Sequence, residues 1–223
     1  MLTLRDLLTG LGAHIGDDMP FAHRPLTQIV QDSREVQPGA LFVARRGETL
    51  DGHTFITEAV GRGATTVLAE RLVTISQPVW VLDTRPGHLL TMSGVPDEAA
   101  IVFVLVPDSQ DALERVAAWW RARLPVDVIG ITGSVGKTST KELIASILAK
   151  RFRVLKSERS LNTDVGMALT LLQLTPEHEK VVLEMGMYAR GEIAHLCRLC
   201  QPRYGVVTNV GPTHLERLGR SEE

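Results

Sequence analysis

Apolar residues fall in short runs along this chain, and the spacing between the runs changes near the middle. Residues 40–44 (Ala-Leu-Phe-Val-Ala) follow the turn signal Pro38-Gly39 and predict a buried strand. Asp51-Gly52 marks a second turn. Phe55, Ile56, Ala59 and Val60 then recur at helical spacing, and Gly61 and Gly63 end that helix. Residues 65–69 and 79–82 read as further buried strands, completing a small α/β unit. Residues 83–96 are rich in turn formers, and 99–106 is one more strand-like run. From Asp111 the pattern is helical, with Leu113, Val116, Ala117, Trp120 and Leu124 on one stripe and Pro125 as its stop.

Beyond Pro125 the pattern is that of a parallel α/β sheet. Residues 126–132, 181–185 and 204–210 read as strands, with 153–156 as a shorter one. Helices are expected over 138–149, 167–174 and 193–199, the first packing Leu143, Ile144, Ile147 and Leu148 inward. The fold class is therefore α/β, with a domain boundary between Pro107 and Pro125: a small N-terminal domain over 1–107 and a parallel-sheet domain over 108–223. Three or four strands are few for a sheet covered on both faces. An exposed edge and a tendency to aggregate are expected.

Composition narrows the class. The 223 residues are 44% hydrophobic and 22% charged, too apolar for a disordered chain. Lys and Arg number 24 against 26 Asp and Glu, a net charge of −2 that gives no reason to expect a nucleic-acid partner. The longest apolar run, 99–106, is far short of a membrane span. Arg5 and Asp6 interrupt the first apolar stretch, which does not read as a signal peptide. Two cysteines, Cys197 and Cys200, make no disulfide framework and fit a cytoplasmic location. With His195 they are too few for a structural zinc site and read as helix packing, as Trp119 and Trp120 do at the domain junction. His14, His23, His88 and His178 gain no role.

The most informative stretch is Gly130-Ile-Thr-Gly-Ser-Val-Gly-Lys-Thr-Ser139. A glycine-rich turn between a buried strand and a helix aims successive backbone N–H groups at a phosphate, and the helix N-terminus adds partial positive charge. Thr132, Gly133, Ser134, Val135, Gly136, Lys137, Thr138 and Ser139 are the candidate ATP contacts. In such a loop Lys137 meets the β/γ-phosphates and the Thr138 hydroxyl ligates Mg²⁺. Ile131 stands where the usual spacing has glycine, so the loop is a variant; the plainer alternative is a surface Gly-Lys turn that binds nothing. Glu184, near the end of an otherwise apolar strand, and His214, just past the next one, converge with Lys137 if the sheet is parallel. A buried carboxylate needs a partner or a metal, so Glu184 facing Mg²⁺ is the economical reading, a salt bridge the alternative. For His214 the alternative is a plain loop histidine.

The loop Thr132–Ser139 resembles that of the Mur ligases, ATP-dependent amide-forming enzymes of peptidoglycan precursor synthesis. Asp32-Ser-Arg-Glu-Val-Gln-Pro-Gly-Ala-Leu-Phe-Val-Ala44, with Gly47 and Asp51-Gly-His53, resembles the UDP-binding N-terminal domain of the family's later members. Glu184-Met-Gly-Met187, Gly191-Glu-Ile193 and Thr208-Asn-Val-Gly-Pro-Thr-His-Leu-Glu-Arg-Leu-Gly219 narrow the likeness to the member that adds D-alanyl-D-alanine to UDP-N-acetylmuramoyl-tripeptide. The resemblance implies ATP and Mg²⁺ as cofactors, Lys137, Glu184 and His214 as catalytic residues, and Thr138, Glu184 and His214 around metal. It implies Ser33, Arg34, Gly47, Asp51, His53 and Asn162 as substrate contacts, although Arg34 could equally form a surface ion pair. ATP would convert the tripeptide carboxylate to an acyl phosphate that the dipeptide amine attacks.

Ser160 stands where a second Asn is common, Ala168 replaces a usual Pro, and 83–107 looks like an insertion. The family continues past the position of Glu223 with a lysine often carbamoylated to help hold a second Mg²⁺ and a Rossmann-like domain. These residues are therefore expected to be an N-terminal portion of a monomeric enzyme, inactive alone. Another Mur-type ligase, or a non-catalytic truncated homologue, are the competing readings.

Overall fold

The computed structural model describes residues 1–16, 19–47, 49–85, 91–93, 100–158 and 162–211. The chain forms two compact units, Met1–Val116 and Ala117–Glu223. Among the described residues no helix is long and apolar enough to cross a membrane.

The first unit opens with α1 (Leu4–Gly10), started by a capping box in which Thr3 and Asp6 satisfy each other's backbone N–H groups. Its sheet runs in the order β1 (Ile29–Val30), β2 (Leu41–Val43), β3 (Thr66–Ala69), β6 (Ile101–Leu105), β4 (Val79–Asp83) and β5 (Thr91–Ser93). All neighbours are parallel except β4 and β5. Strands β2, β3 and β6 are buried throughout, which is why their sequences are apolar apart from Thr66. α2 (Ile56–Gly61) lays Ile56, Ala59 and Val60 on a core with Phe42, Val67 and Phe103. The span 83–107, read from sequence as an insertion, contains β6 at the interior of the sheet between β3 and β4. That part is core, because a central strand cannot be removed without exposing both neighbours' ladders.

α3 (Ser109–Ala122) starts where the Asp108 carboxylate accepts from the N–H groups of Gln110 and Asp111. The division between the units falls within it. The second unit is a parallel sheet in the order β10 (Tyr204–Val207), β7 (Asp127–Thr132), β9 (Lys180–Glu184) and β8 (Val154–Lys156). Its helices are α4 (Lys137–Leu148), α5 (Asp164–Leu171) and α6 (Glu192–Cys200). The expected inner face of α4 needs correction. Leu143 and Ile147 are each 61% exposed, while Lys141 and Ala145 are buried and Ile144 and Leu148 pack partly on the core. The inward stripe is Lys141, Ile144, Ala145 and Leu148; Thr138, in the exposed first turn, faces the end of β9.

Candidate functional site

Parallel pairing brings the C-terminal ends of β7, β9 and β10 to one edge, where a loop and a helix N-terminus can meet side chains from two strands. The turn between β7 and α4 begins at Gly133, whose φ is +131°, and a Cβ there would lie 2.1 Å from Thr208 Oγ1. Only glycine fits. Gly136, at φ +86°, ends the turn in left-handed conformation and leads into α4. Ser134 and Val135 give their N–H groups to Asn209 Oδ1 at 3.1 and 3.0 Å. Ser134 Oγ exchanges hydrogen bonds with the backbone of Gly211, and Thr208 Oγ1 donates to the Val135 carbonyl at 2.7 Å. The segment after β10 therefore braces the turn. The N–H groups of Gly136, Lys137 and Thr138 have no acceptor among the described residues, as at any uncapped helix start.

Lys137 folds its ammonium back over the turn and donates to the Gly133 carbonyl at 2.7 Å. Thr138 Oγ1 donates to Glu184 Oε2 at 2.8 Å. The Glu184 carboxylate is 3% exposed at the end of β9, and Asn162 Nδ2 reaches its Oε1 at 3.4 Å. Lys137, Thr138, Glu184 and Asn162 are thus brought to one edge, as Thr132 and Ser139 are by the strand and helix that flank the turn. Thr132 itself turns aside, its hydroxyl donating to the Met185 carbonyl at 3.1 Å. His214 and Ser160 lie outside the described residues. Hydroxyl and carboxylate oxygens held side by side are the hard donors that Mg²⁺ takes, so the set fits that ion.

Sequence reasoning missed Lys141. It is fully buried, donates to the Ser157 carbonyl at 2.8 Å, and lies 4.0 Å from Glu184 Oε2 and 3.3 Å from Glu142 Oε1. Ser157 Oγ in turn accepts the Glu184 N–H at 3.2 Å. Glu184 therefore has both a hydroxyl partner and a basic neighbour. The available signal was the spacing 138, 141, 145, which puts Lys141 on the same face as Thr138. A cavity of about 110 Å³ opens beside Asn162, between Asp164, Tyr188 and His195, and it too was unforeseen.

In the first unit, Ser33, Arg34 and Gly47 line a groove of about 820 Å³ together with Arg45, Gly52 and Glu58. Asp51 and His53, expected as substrate contacts, stand behind its wall. Asp51 accepts from the His53 N–H at 3.0 Å, from His53 Nδ1 at 2.7 Å and from Arg71 at 2.8 Å. Arg71, then His53, hold the Asp51 carboxyl well below the usual range. His53 Nε2 accepts the Glu70 N–H at 3.1 Å, so the ring is the neutral Nδ1–H tautomer. These two residues build the turn that shapes the groove. Arg34 is bidentate to Asp32, at 2.9 and 2.6 Å. That pairing lowers Asp32 to about 2.

Comparison with known proteins identifies the family. Residues 131–223 match the Mur ligase middle domain, and residues 25–118 match the Mur ligase family, catalytic domain. The UDP-N-acetylmuramoyl-tripeptide--D-alanyl-D-alanine ligase of Synechocystis is 39% identical over 87% of this chain and 38% of its own length; the Escherichia coli enzyme of that name is 34% identical over 97% and 41%. The crystal structure of MurF from Acinetobacter baumannii superposes with a TM-score of 0.77 at 28% identity, covering 99% of this chain and 43% of that one. The ADP complex of the Thermotoga maritima MurF ligase gives 0.68 at 34% identity, over 88% and 40%. This chain spans about 40% of the length of those relatives. With both of its units matched in order, the chain belongs to the Mur ligase family, of which it carries the N-terminal and middle domains.

Proposed function

We propose that this chain is the UDP-substrate-binding and nucleotide-binding portion of an ATP-dependent ligase that joins D-alanyl-D-alanine to UDP-N-acetylmuramoyl-tripeptide. The observation that carries the reading is Thr138 Oγ1 at 2.8 Å from the buried Glu184 carboxylate, one residue after the loop lysine. Lys137 and the free N–H groups at the head of α4 neutralise the phosphates, which otherwise repel the incoming carboxylate. Thr138 and Glu184 would hold a magnesium ion, which when bound would supply further neutralisation of phosphate charge. His214 is assigned to a second ion on the family resemblance alone. The whole protein transfers the γ-phosphoryl group to the tripeptide's terminal carboxylate, forming an acyl phosphate and ADP; attack by the dipeptide amine forms the amide and releases phosphate. The domain division is taken as 1–107 and 108–223, the second incomplete, and reliance on ATP and a UDP-linked precursor places the reaction in the cytoplasm, with the full-length protein a monomer.

The test is titration of this chain with a fluorescent ATP analogue in magnesium. Wild type is expected to bind, and Lys137→Ala to bind at least about tenfold more weakly, since hydrogen bonds to charged groups contribute about 1.5–3 kcal/mol each. Binding of UDP is expected to be unchanged by that substitution. Equal nucleotide affinity in wild type and variant would remove the phosphate-loop assignment.

A further inference from the structure

We propose that Arg45 grips the diphosphate of the nucleotide-sugar in the groove of the first unit, an inference that rests on reading that groove as the UDP-substrate site. Among the described residues four charged side chains line the groove: Asp32, Arg34, Arg45 and Glu58. Three are already matched. Arg34 and Asp32 neutralise one another through two hydrogen bonds. Glu58 accepts from Ser33 Oγ at 2.9 Å and from Arg62 Nε at 3.1 Å.

Arg45 is different. Its side chain bonds to a neutral group only, Nη1 donating to Gln110 Oε1 at 3.3 Å, and it has no carboxylate partner among the described residues. Its Nε is buried and has no acceptor. The Nε–Nη2 edge of a guanidinium is a planar fork whose spacing matches two oxygens of one phosphate. A buried N–H without an acceptor costs stability, and a ligand oxygen would remove that cost. The backbone beneath is pinned: Gly52 donates its N–H to the Arg45 carbonyl at 2.8 Å, and a Cβ on Gly52 would lie 2.6 Å from that oxygen. The Asp51–His53 turn thus sets the position of Arg45. Of the parts of a nucleotide-sugar, the doubly charged diphosphate is the one that an uncompensated guanidinium recognises; uracil and the sugar call for neutral donors and acceptors.

The experiment is calorimetric titration of the 223-residue chain with uridine, UDP and UDP-N-acetylmuramic acid at low salt. Wild type should prefer UDP to uridine. Arg45→Met should weaken UDP and UDP-N-acetylmuramic acid about ten- to hundredfold and leave uridine unchanged. Arg45→Lys, which keeps the charge and loses the fork, should fall between, and its thermal unfolding midpoint should match wild type. If Arg45→Met does not fold, the UDP-to-uridine preference of Arg45→Lys decides alone: a preference equal to wild type overturns the proposal. Undiminished UDP binding by Arg45→Met, or equal weakening of uridine and UDP, overturns the role of Arg45 while leaving the groove as the site. Failure of wild type to bind any uridine ligand instead removes the reading of the groove.

Discussion

Cys197 and Cys200 lie three residues apart on α6, yet their surroundings differ: the first is half-buried and the second fully enclosed. Burial, with Cys197 close by, pushes the Cys200 thiol up to about 12. The thiolate is the reactive form, so Cys200 is inert at pH 8 in the folded protein. Iodoacetamide at that pH should label Cys197 and spare Cys200, and both should label in urea; peptide mapping by mass spectrometry reads the difference. Equal native rates would show that α6 is not packed as described. At this scale the sequence was partly legible. Packing was the right expectation for the cysteines, and the nearness of Lys137 and Thr138 to Glu184 was legible because a parallel sheet brings its strand ends to one edge. Arg45 and Lys141 were not, since an arginine beside a turn and a lysine in a helix normally face water.

α4 shows how an element's phase can be misread. Four large apolar residues near its C-terminal end suggest one inner face, but the helix that follows the turn at Gly136 points Lys141 inward and sets Thr138 against Glu184 at the sheet edge. Leu143 and Ile147 then face out. Because the Lys141 ammonium is buried 4.0 Å from Glu184, removing it takes away the basic neighbour of a buried carboxylate. Lys141→Met should therefore cost about 3–5 kcal/mol, the range for breaking a buried pair from one side. Urea denaturation followed by circular dichroism measures it, and a cost below about 1 kcal/mol would place the lysine among exposed pairs. Strands were easier. β2 and β6 are continuous apolar runs and β3 and β9 hold three apolar residues in a row, whereas the two-residue β1 carries too little pattern to be distinguished from a loop.

Across the whole molecule, aspartates in both units are held ionised by basic neighbours. Arg34 lowers Asp32 to about 2, Arg71 lowers Asp51 below the usual range, and Lys180 followed by Arg203 lowers Asp127. An unfolded aspartate titrates near 3.8, so between about pH 4 and 2 the unfolded chain binds more protons than the folded one. Stability contributed by these pairs is full above that window and is lost as pH falls through it. These groups face solvent, which keeps each share small. Urea midpoints should hold between pH 6 and 5 and fall between pH 4 and 2.5, with a shallower fall in an Asp51→Asn variant. An unchanged midpoint down to pH 2.5 would contradict the pairing. Two α/β units in series were legible in the alternation of patterns; the antiparallel pairing of β5 was not, because the turn-rich residues before it carry no periodicity.

Asn209 is one of the residues that bind the turn before α4 to the segment after β10. The carboxamide of Asn209 takes the amide hydrogens of Ser134 and Val135 for itself. Any oxyanion that claims those two hydrogens has to evict the asparagine, and the backbone it belongs to follows directly from β10. Filling of the turn by such a group would thus exchange one acceptor for another at the end of β10.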